Sequence, residues 1–122
     1  MEFEKPHYDV ILCLSVTKWI HLNNGDAGIK FLFKRMFKQL KPNGVLVLEA
    51  QAFETYKKRS KLSPEILTNY KNIQLKPEKF ESFLLSEEIG FSESWCIADK
   101  EVLQKGGQAK GFHRPLQVFI KR

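Results

Sequence analysis

Apolar and polar positions along the chain divide it into strand-like runs and helix-like periods. From Tyr8 to Leu14 the chain is almost continuously apolar, broken only by Asp9, and it ends at Ser15; such a run predicts a parallel strand buried on both faces. A turn-rich stretch from Asn23 to Gly28 follows, in which Asp26 is a suitable helix N-cap. Ile29, Leu32, Phe33, Met36, Phe37 and Leu40 then recur at helical spacing and predict one apolar face. Lys30, Lys34, Arg35 and Lys38 fall off that face and read as a solvated helix surface. Pro42 stops the helix, Asn43-Gly44 makes a turn, and the run from Val45 to Gln51 predicts a second buried strand whose end carries Glu49 and Gln51.

Beyond that strand, Ser63-Pro64-Glu65 and Lys76-Pro77-Glu78 each have the character of a helix start, the second leading into Phe80, Phe83 and Leu84 before Gly90. Segments beginning at Phe91 and Pro115 alternate as strands, joined by a polar, glycine-rich loop, so the pair predicts an antiparallel hairpin. The order is β-α-β-α-β-β. It describes an α/β mixed sheet with two parallel strands, crossover helices and a C-terminal antiparallel hairpin. In doubly wound sheets ligands bind beyond the carboxyl ends of the parallel strands, which directs attention to Leu14, Ser15 and Val16 and to Glu49 and Gln51.

Length and composition narrow the picture. With 122 residues, 43% hydrophobic and 28% charged, the chain fits one globular domain, residues 1–122. The net charge of +6 favours a polyanionic partner over an acidic small molecule. That charge is densest in Lys57, Lys58, Arg59 and Lys61, with Tyr56 beside it and Phe53 just before, which suits a clamp on a nucleic acid as well as it suits a solvated loop. Cys13 and Cys96 show no metal or redox spacing and read as small buried hydrophobes, so no metal site is expected. There is no signal-peptide pattern and no apolar run long enough to span a bilayer; the expected location is nuclear or cytoplasmic, without membrane contact and not secreted.

Four blocks carry a resemblance. The run LCLSVTKWIHLN with Gly25-Asp26 after it, VLVLE with Gln51 two residues on, NYKNIQLKPEKF, and GFHRP resemble, in order and spacing, the small nuclear RNA methylphosphate capping enzymes, the bicoid-interacting family of RNA methyltransferases, over residues 8 to 121. The resemblance implies a class I (Rossmann-like), S-adenosylmethionine-dependent fold. It implies transfer of a methyl group to the γ-phosphate of a small RNA bearing a 5′ triphosphate, and membership of a ribonucleoprotein alongside a La-related protein. Cofactor contacts are then expected at Leu14, Ser15 and Val16. Substrate or RNA contacts are expected at Lys18, Trp19, Glu49, Gln51, Phe53, Tyr56, Lys57, Lys58, Arg59, Lys61 and Arg114. For His21 a structural hydrogen bond is expected.

The sequence departs from the family's pattern at Ala50, Ala52 and Phe53, where Pro, Pro and Trp are usual, at Asn24 in place of Trp, and at Asn43 in place of Gly. No glycine lies in the strand-to-helix GxGxxG turn that a class I methyltransferase uses for its cofactor. The expectation is therefore the C-terminal half of such a domain, lacking most of the cofactor grip and inactive as an isolated chain, with its first strand an open edge. Two other readings fit the same residues: a non-catalytic RNA-binding scaffold that keeps the basic cluster, and a methyltransferase acting on protein or a small molecule.

Overall fold

A computed structural model describes residues 6–97 and 116–122. The chain opens with strand β1 (Tyr8–Leu14), helix α1 (Thr17–Gln39) and strand β2 (Leu40–Glu49). A 3-10 helix (Phe53–Arg59), helix α2 (Pro64–Asn72), a 3-10 turn (Pro77–Lys79) and helix α3 (Phe80–Leu85) follow, and strands β3 (Glu93–Ile97) and β4 (Leu116–Ile120) end it. The strands form one mixed sheet in the order β1-β2-β4-β3. β1 and β2 are parallel, with Ile11 opposite Leu46 and Leu14 opposite Glu49. β4 runs antiparallel to both β2 and β3, so the expected mixed sheet and terminal antiparallel pair are present.

Helix α1 starts immediately after β1, nine residues before the helix start expected at Asp26, and consists of two helical segments that meet at a kink at Gly25, so the second segment begins beside the expected start. The turn-forming residues Asn23, Asn24 and Asp26 are absorbed into it, and only Gly25 breaks the geometry, at φ 71° and ψ −170°, a conformation glycine alone adopts without strain. Asp26 does not serve as a simple N-cap; its carboxylate is engaged elsewhere, as described below. At the far end, Lys121 donates from Nζ to the carbonyls of Phe37 and Leu40, both at 2.7 Å, and lies 4.5 Å from the Phe37 ring centroid. A cation there satisfies orphan carbonyls and complements the helix dipole. Burial pushes the pKa of this ammonium down from its ordinary value. Helix α2 begins as its sequence predicts, with the Ser63 hydroxyl accepting from the Ile66 amide at 3.1 Å and Pro64 in the first turn.

One face of the sheet is covered. Cys13, Leu46, Leu48 and Phe119 pack there against Ile29, Phe33 and Met36 of α1, Phe80 and Leu84 of α3, and Ile89 and Phe91. Among the described residues no helix of the core cluster packs on the other face. Val10, Leu12 and Leu14 alternate along β1 with 53%, 64% and 42% of their surface exposed, and Trp95 and Ile97 lie open on β3. The expectation of a fully buried β1 is thus corrected: β1 is an edge strand, as the open-edge expectation had it, and its alternate residues face solvent because α1 and α3 pack on the side of Ile11 and Cys13. Cys96 is also exposed, on the opposite edge strand, whereas Cys13 is buried and its thiol pKa is pushed up to about 11 by burial. Among the described residues no helix is long and apolar enough to cross a membrane.

Candidate active-site rim

Parallel pairing brings the carboxyl ends of β1 and β2 side by side, and the segments leaving them are stitched together. The Ser15 amide donates to the Glu49 carbonyl at 3.1 Å, and the Ser15 hydroxyl donates to the Glu49 carboxylate. Ser15 itself stands at φ 60°, in the left-handed region that a residue with a Cβ enters at a cost. Gln51 closes the other side: its Nε2 donates to the Ser15 carbonyl at 3.0 Å, while its Oε1 accepts from the Thr17 hydroxyl at 3.4 Å and the Lys18 amide at 3.3 Å. Leu14 and Val16 project on either side of this turn with 42% and 43% of their surface open.

A second layer lies beneath. His21 is fully buried and sits between two partners, Asp26 Oδ1 at 2.7 Å from Nε2 and the Tyr56 hydroxyl at 2.9 Å from Nδ1. A carboxylate only accepts, so Nε2 carries the imidazole proton and Nδ1 accepts from the Tyr56 hydroxyl. The other carboxylate oxygen of Asp26 accepts from the amides of Gln74 and Leu75 at 2.8 and 3.0 Å. One carboxylate thus ties α1 to the segment before α3, and one imidazole ties α1 to the 3-10 helix. Burial pushes the His21 pKa down, against the opposing pull of Asp26. Burial alone would raise Asp26, but the bonds from His21 and from the two backbone amides bring it below the usual carboxylate value. Burial, with the negative charges of Asp26 and Glu78, drives the Tyr56 phenol well above its ordinary value, so it stays a neutral donor. Around this network Leu22, Tyr56 and Ile73 form a small core of their own, flanked by Phe53, Ile66 and Tyr70.

The outer surface has a different composition. Lys57, Lys58, Arg59 and Lys61 are exposed on and just after the 3-10 helix. The Arg59 guanidinium lies 5.7 Å from the ring centroid of Trp19, which is 39% exposed, so the basic cluster meets the start of α1 across the rim. Lys18 is half-buried beside it. Phe53 stacks on Tyr70 with centroids 5.4 Å apart and planes 9° from parallel, under the Lys76 ammonium at 5.1 Å.

Most of the residues singled out from the sequence therefore converge. Leu14, Ser15, Val16, Lys18 and Glu49 meet at the strand ends, and Arg59 of the exposed basic cluster reaches Trp19 beside them. Two do not face outward: Tyr56 is 0% exposed and Gln51 is 4% exposed, and both hold the rim from below rather than presenting groups to a ligand. Arg114 lies outside the described residues. The expectation of a structural hydrogen bond for His21 is met. What sequence reasoning missed is Asp26 as the hub of the buried network; the only hint was its place five residues after His21, whereas Tyr56 and the amides at 74 and 75 are far away in sequence. Among the described residues no buried side-chain nitrogen or oxygen lacks a partner, and no group of His, Cys, Asp and Glu is arranged to hold a metal ion.

Comparison with known proteins supplies the rest. The family model of Bicoid-interacting protein 3 (Bin3) matches residues 8–121. The chain is 50% identical over 121 residues to the U6 snRNA methylphosphate capping enzyme Amus of Drosophila melanogaster, an alignment covering 99% of this chain and 39% of that protein. It is 47% identical over 121 residues to the 7SK snRNA methylphosphate capping enzyme of Homo sapiens, covering 99% of this chain and 17% of that one. This chain therefore spans well under half the length of either relative. Among solved structures, a possible exported protein from Bordetella parapertussis superimposes with a TM-score of 0.53 at 16% identity, over 96% of this chain and 40% of the other, a likeness of fold alone. With the match running from the first strand to the last, the chain belongs to the Bicoid-interacting protein 3 (Bin3) family.

Proposed function

We propose that this chain is part of an S-adenosylmethionine-dependent methyltransferase that methylates the 5′ γ-phosphate of a small RNA. The observation that carries the reading is the 50% and 47% identity, over 99% of the chain, to two proteins named as snRNA methylphosphate capping enzymes. The sheet supports it: the order β1-β2-β4-β3 with β4 reversed is that of the second half of a class I, Rossmann-like methyltransferase sheet, with residues 1–122 as a partial domain.

The residues present fit one end of the cofactor. Exposed Leu14 and Val16 flank a turn held rigid by Ser15, Glu49 and Gln51, which suits the methionine end of S-adenosylmethionine; among the described residues no glycine-rich strand-to-helix turn is available for its ribose. When bound, the cofactor supplies an electrophilic methyl group on a sulfonium. The chain's own task is to align and neutralise the acceptor. A terminal phosphate has a second pKa near ~6 and is already a competent oxygen nucleophile at neutral pH, so no side chain has to remove a proton. Lys18, Lys57, Lys58, Arg59 and Lys61 supply the positive charge, Trp19 a surface for the first base, and Phe53 with Tyr70 and Lys76 the wall behind the cluster. The small nuclear RNAs named for its relatives favour a nuclear location, and a La-related protein is the partner the family resemblance implies.

Fluorescence anisotropy with a 3′-labelled single-stranded RNA tests the reading. The chain is expected to bind the 5′-triphosphate form roughly tenfold more tightly than the 5′-hydroxyl form at low salt. Equal affinity for the two forms would remove the phosphate terminus from the reading.

A further inference from the structure

A second basic surface lies along α1, away from the rim, and the function proposed above does not use it. Between Ala27 and Leu48 the sequence has no acidic residue, while Lys30, Lys34, Arg35, Lys38 and Lys41 all fall there. Lys30, Lys34 and Lys38 are spaced i, i+4, so the helix stacks like charges along itself, which weakens a helix where mixed signs would support it. The helix dipole accounts for Lys38 in the last turn but not for the others. Beside this row Phe31 stands 62% exposed, with the Arg35 guanidinium 5.9 Å from its ring centroid. Two open grooves, of about 550 and 590 Å³, run along either side of the ridge that Phe31 and Arg35 form. Lys34 reaches Glu88 at 3.4 Å across the second groove, between side chains that are each about half exposed.

An exposed ring with a guanidinium over it, grooves on both sides and a one-sign row of charge is what a single-stranded polyanion with flat bases requires. A duplex would have no free base for Phe31. We infer that the Phe31–Lys38 face of α1 is a second RNA-binding surface, taking an unpaired segment of the same RNA whose 5′ end the rim receives; this rests on the function proposed above. Trp19 at the rim and Phe31 are twelve positions apart in α1, on either side of the break at Gly25, so the path along the two segments is ~18 Å, or about five stacked nucleotides of a strand. A trinucleotide is shorter than that path.

The test compares 5′-triphosphate RNAs of three and twelve unpaired nucleotides by anisotropy across a salt series, using the full chain and two variants whose folding is checked by circular dichroism melting. The triple variant Lys34→Ala, Arg35→Ala, Lys38→Ala is expected to bind the twelve-nucleotide RNA at least tenfold more weakly, to lower its salt slope by about 2, and to bind the trinucleotide within twofold of the unmodified chain. Phe31→Ala is expected to weaken the longer RNA several-fold with the salt slope unchanged. If the triple variant binds the longer RNA as the unmodified chain does, while the unmodified chain still prefers the triphosphate over the 5′-hydroxyl form, the second surface is overturned, the rim stands, and the stripe is left to an acidic protein. If the unmodified chain binds neither RNA, the surface and the proposed function fall together.

Discussion

The short 3-10 helix from Phe53 to Arg59 presents two sides that differ in kind. On its inner side Tyr56 is sealed off from water and locked to His21, which is locked to Asp26, which in turn holds two amides of the segment before α3. On its outer side Lys57, Lys58 and Arg59 are exposed, and Arg59 finds the half-open Trp19 across the rim. The inner groups are polar, but each has its partner, so they fix where the helix sits. The outer groups are charges of one sign gathered on one edge, an arrangement that contributes little to folding and a good deal to attracting an anion. Substitutions below the rim are therefore expected to act on stability, and those above it on binding.

The largest effect is expected at the hub. Asp26→Ala removes the acceptor of three hydrogen bonds at once, leaving His21 Nε2 and the amides of Gln74 and Leu75 without it. At ~1 kcal/mol or more for the buried His21 donor and less for the Gln74 amide, which water can reach, the loss is about 2 kcal/mol in urea unfolding. A loss below ~1 kcal/mol would show that the network is incidental to the fold and erase the contrast between the two sides.

Acid acts on the same layer. The folded state holds His21 neutral with its pKa below 6.5, so the unfolded chain takes up a proton first as pH falls. Stability is thus expected to be level above about pH 7 and to decline as pH drops through 6.5 towards the folded value, with Asp26, also lowered, adding a further decline at more acid pH below 3.8. A combined Lys57→Ala, Lys58→Ala variant should follow the same curve, because those side chains are exposed. Thermal melts that are flat from pH 7 to pH 5 would contradict the assignment of a neutral, buried His21.

Much of this order was written in the sequence, and the parts that were not have specific causes. The β-α-β start, the Ser63 cap and the reversed last strand pair were legible because each is a local pattern of apolar period or of capping chemistry. β1 was misjudged because a continuous apolar run describes a strand with both faces lined by apolar groups, without saying whether anything covers them; Leu12 is as apolar as Leu46 and lies on the other side of the sheet. The second segment of α1 was legible, since the chain does break at Gly25 beside Asp26, but the first, from Thr17, was missed because its apolar positions are too few to show a helical period before Asn23, Asn24, Gly25 and Asp26 spell a turn. Within the rim, the strand ends and the basic cluster could be found by position and charge. Tyr56 could not be separated from its lysine neighbours, because its partner is 35 residues upstream and only the packed fold turns it inward.

The smallest expected effect on stability gives the sharpest test of the comparison. Arg59→Ala removes a cation lying 5.7 Å from the Trp19 ring, a contact between two exposed side chains, and such contacts contribute about 0.5 kcal/mol. Its loss should shift the urea midpoint barely beyond error while lowering affinity for 5′-triphosphate RNA several-fold, and Trp19→Ala should behave alike. Made together, the two changes should fall short of adding in stability, because either alone already removes the contact between them, and in binding, because ring and guanidinium would meet the same terminal nucleotide. An Arg59→Ala chain destabilised by more than ~2 kcal/mol with unchanged RNA affinity would make Arg59 a structural residue like Tyr56, and the helix would no longer have two sides.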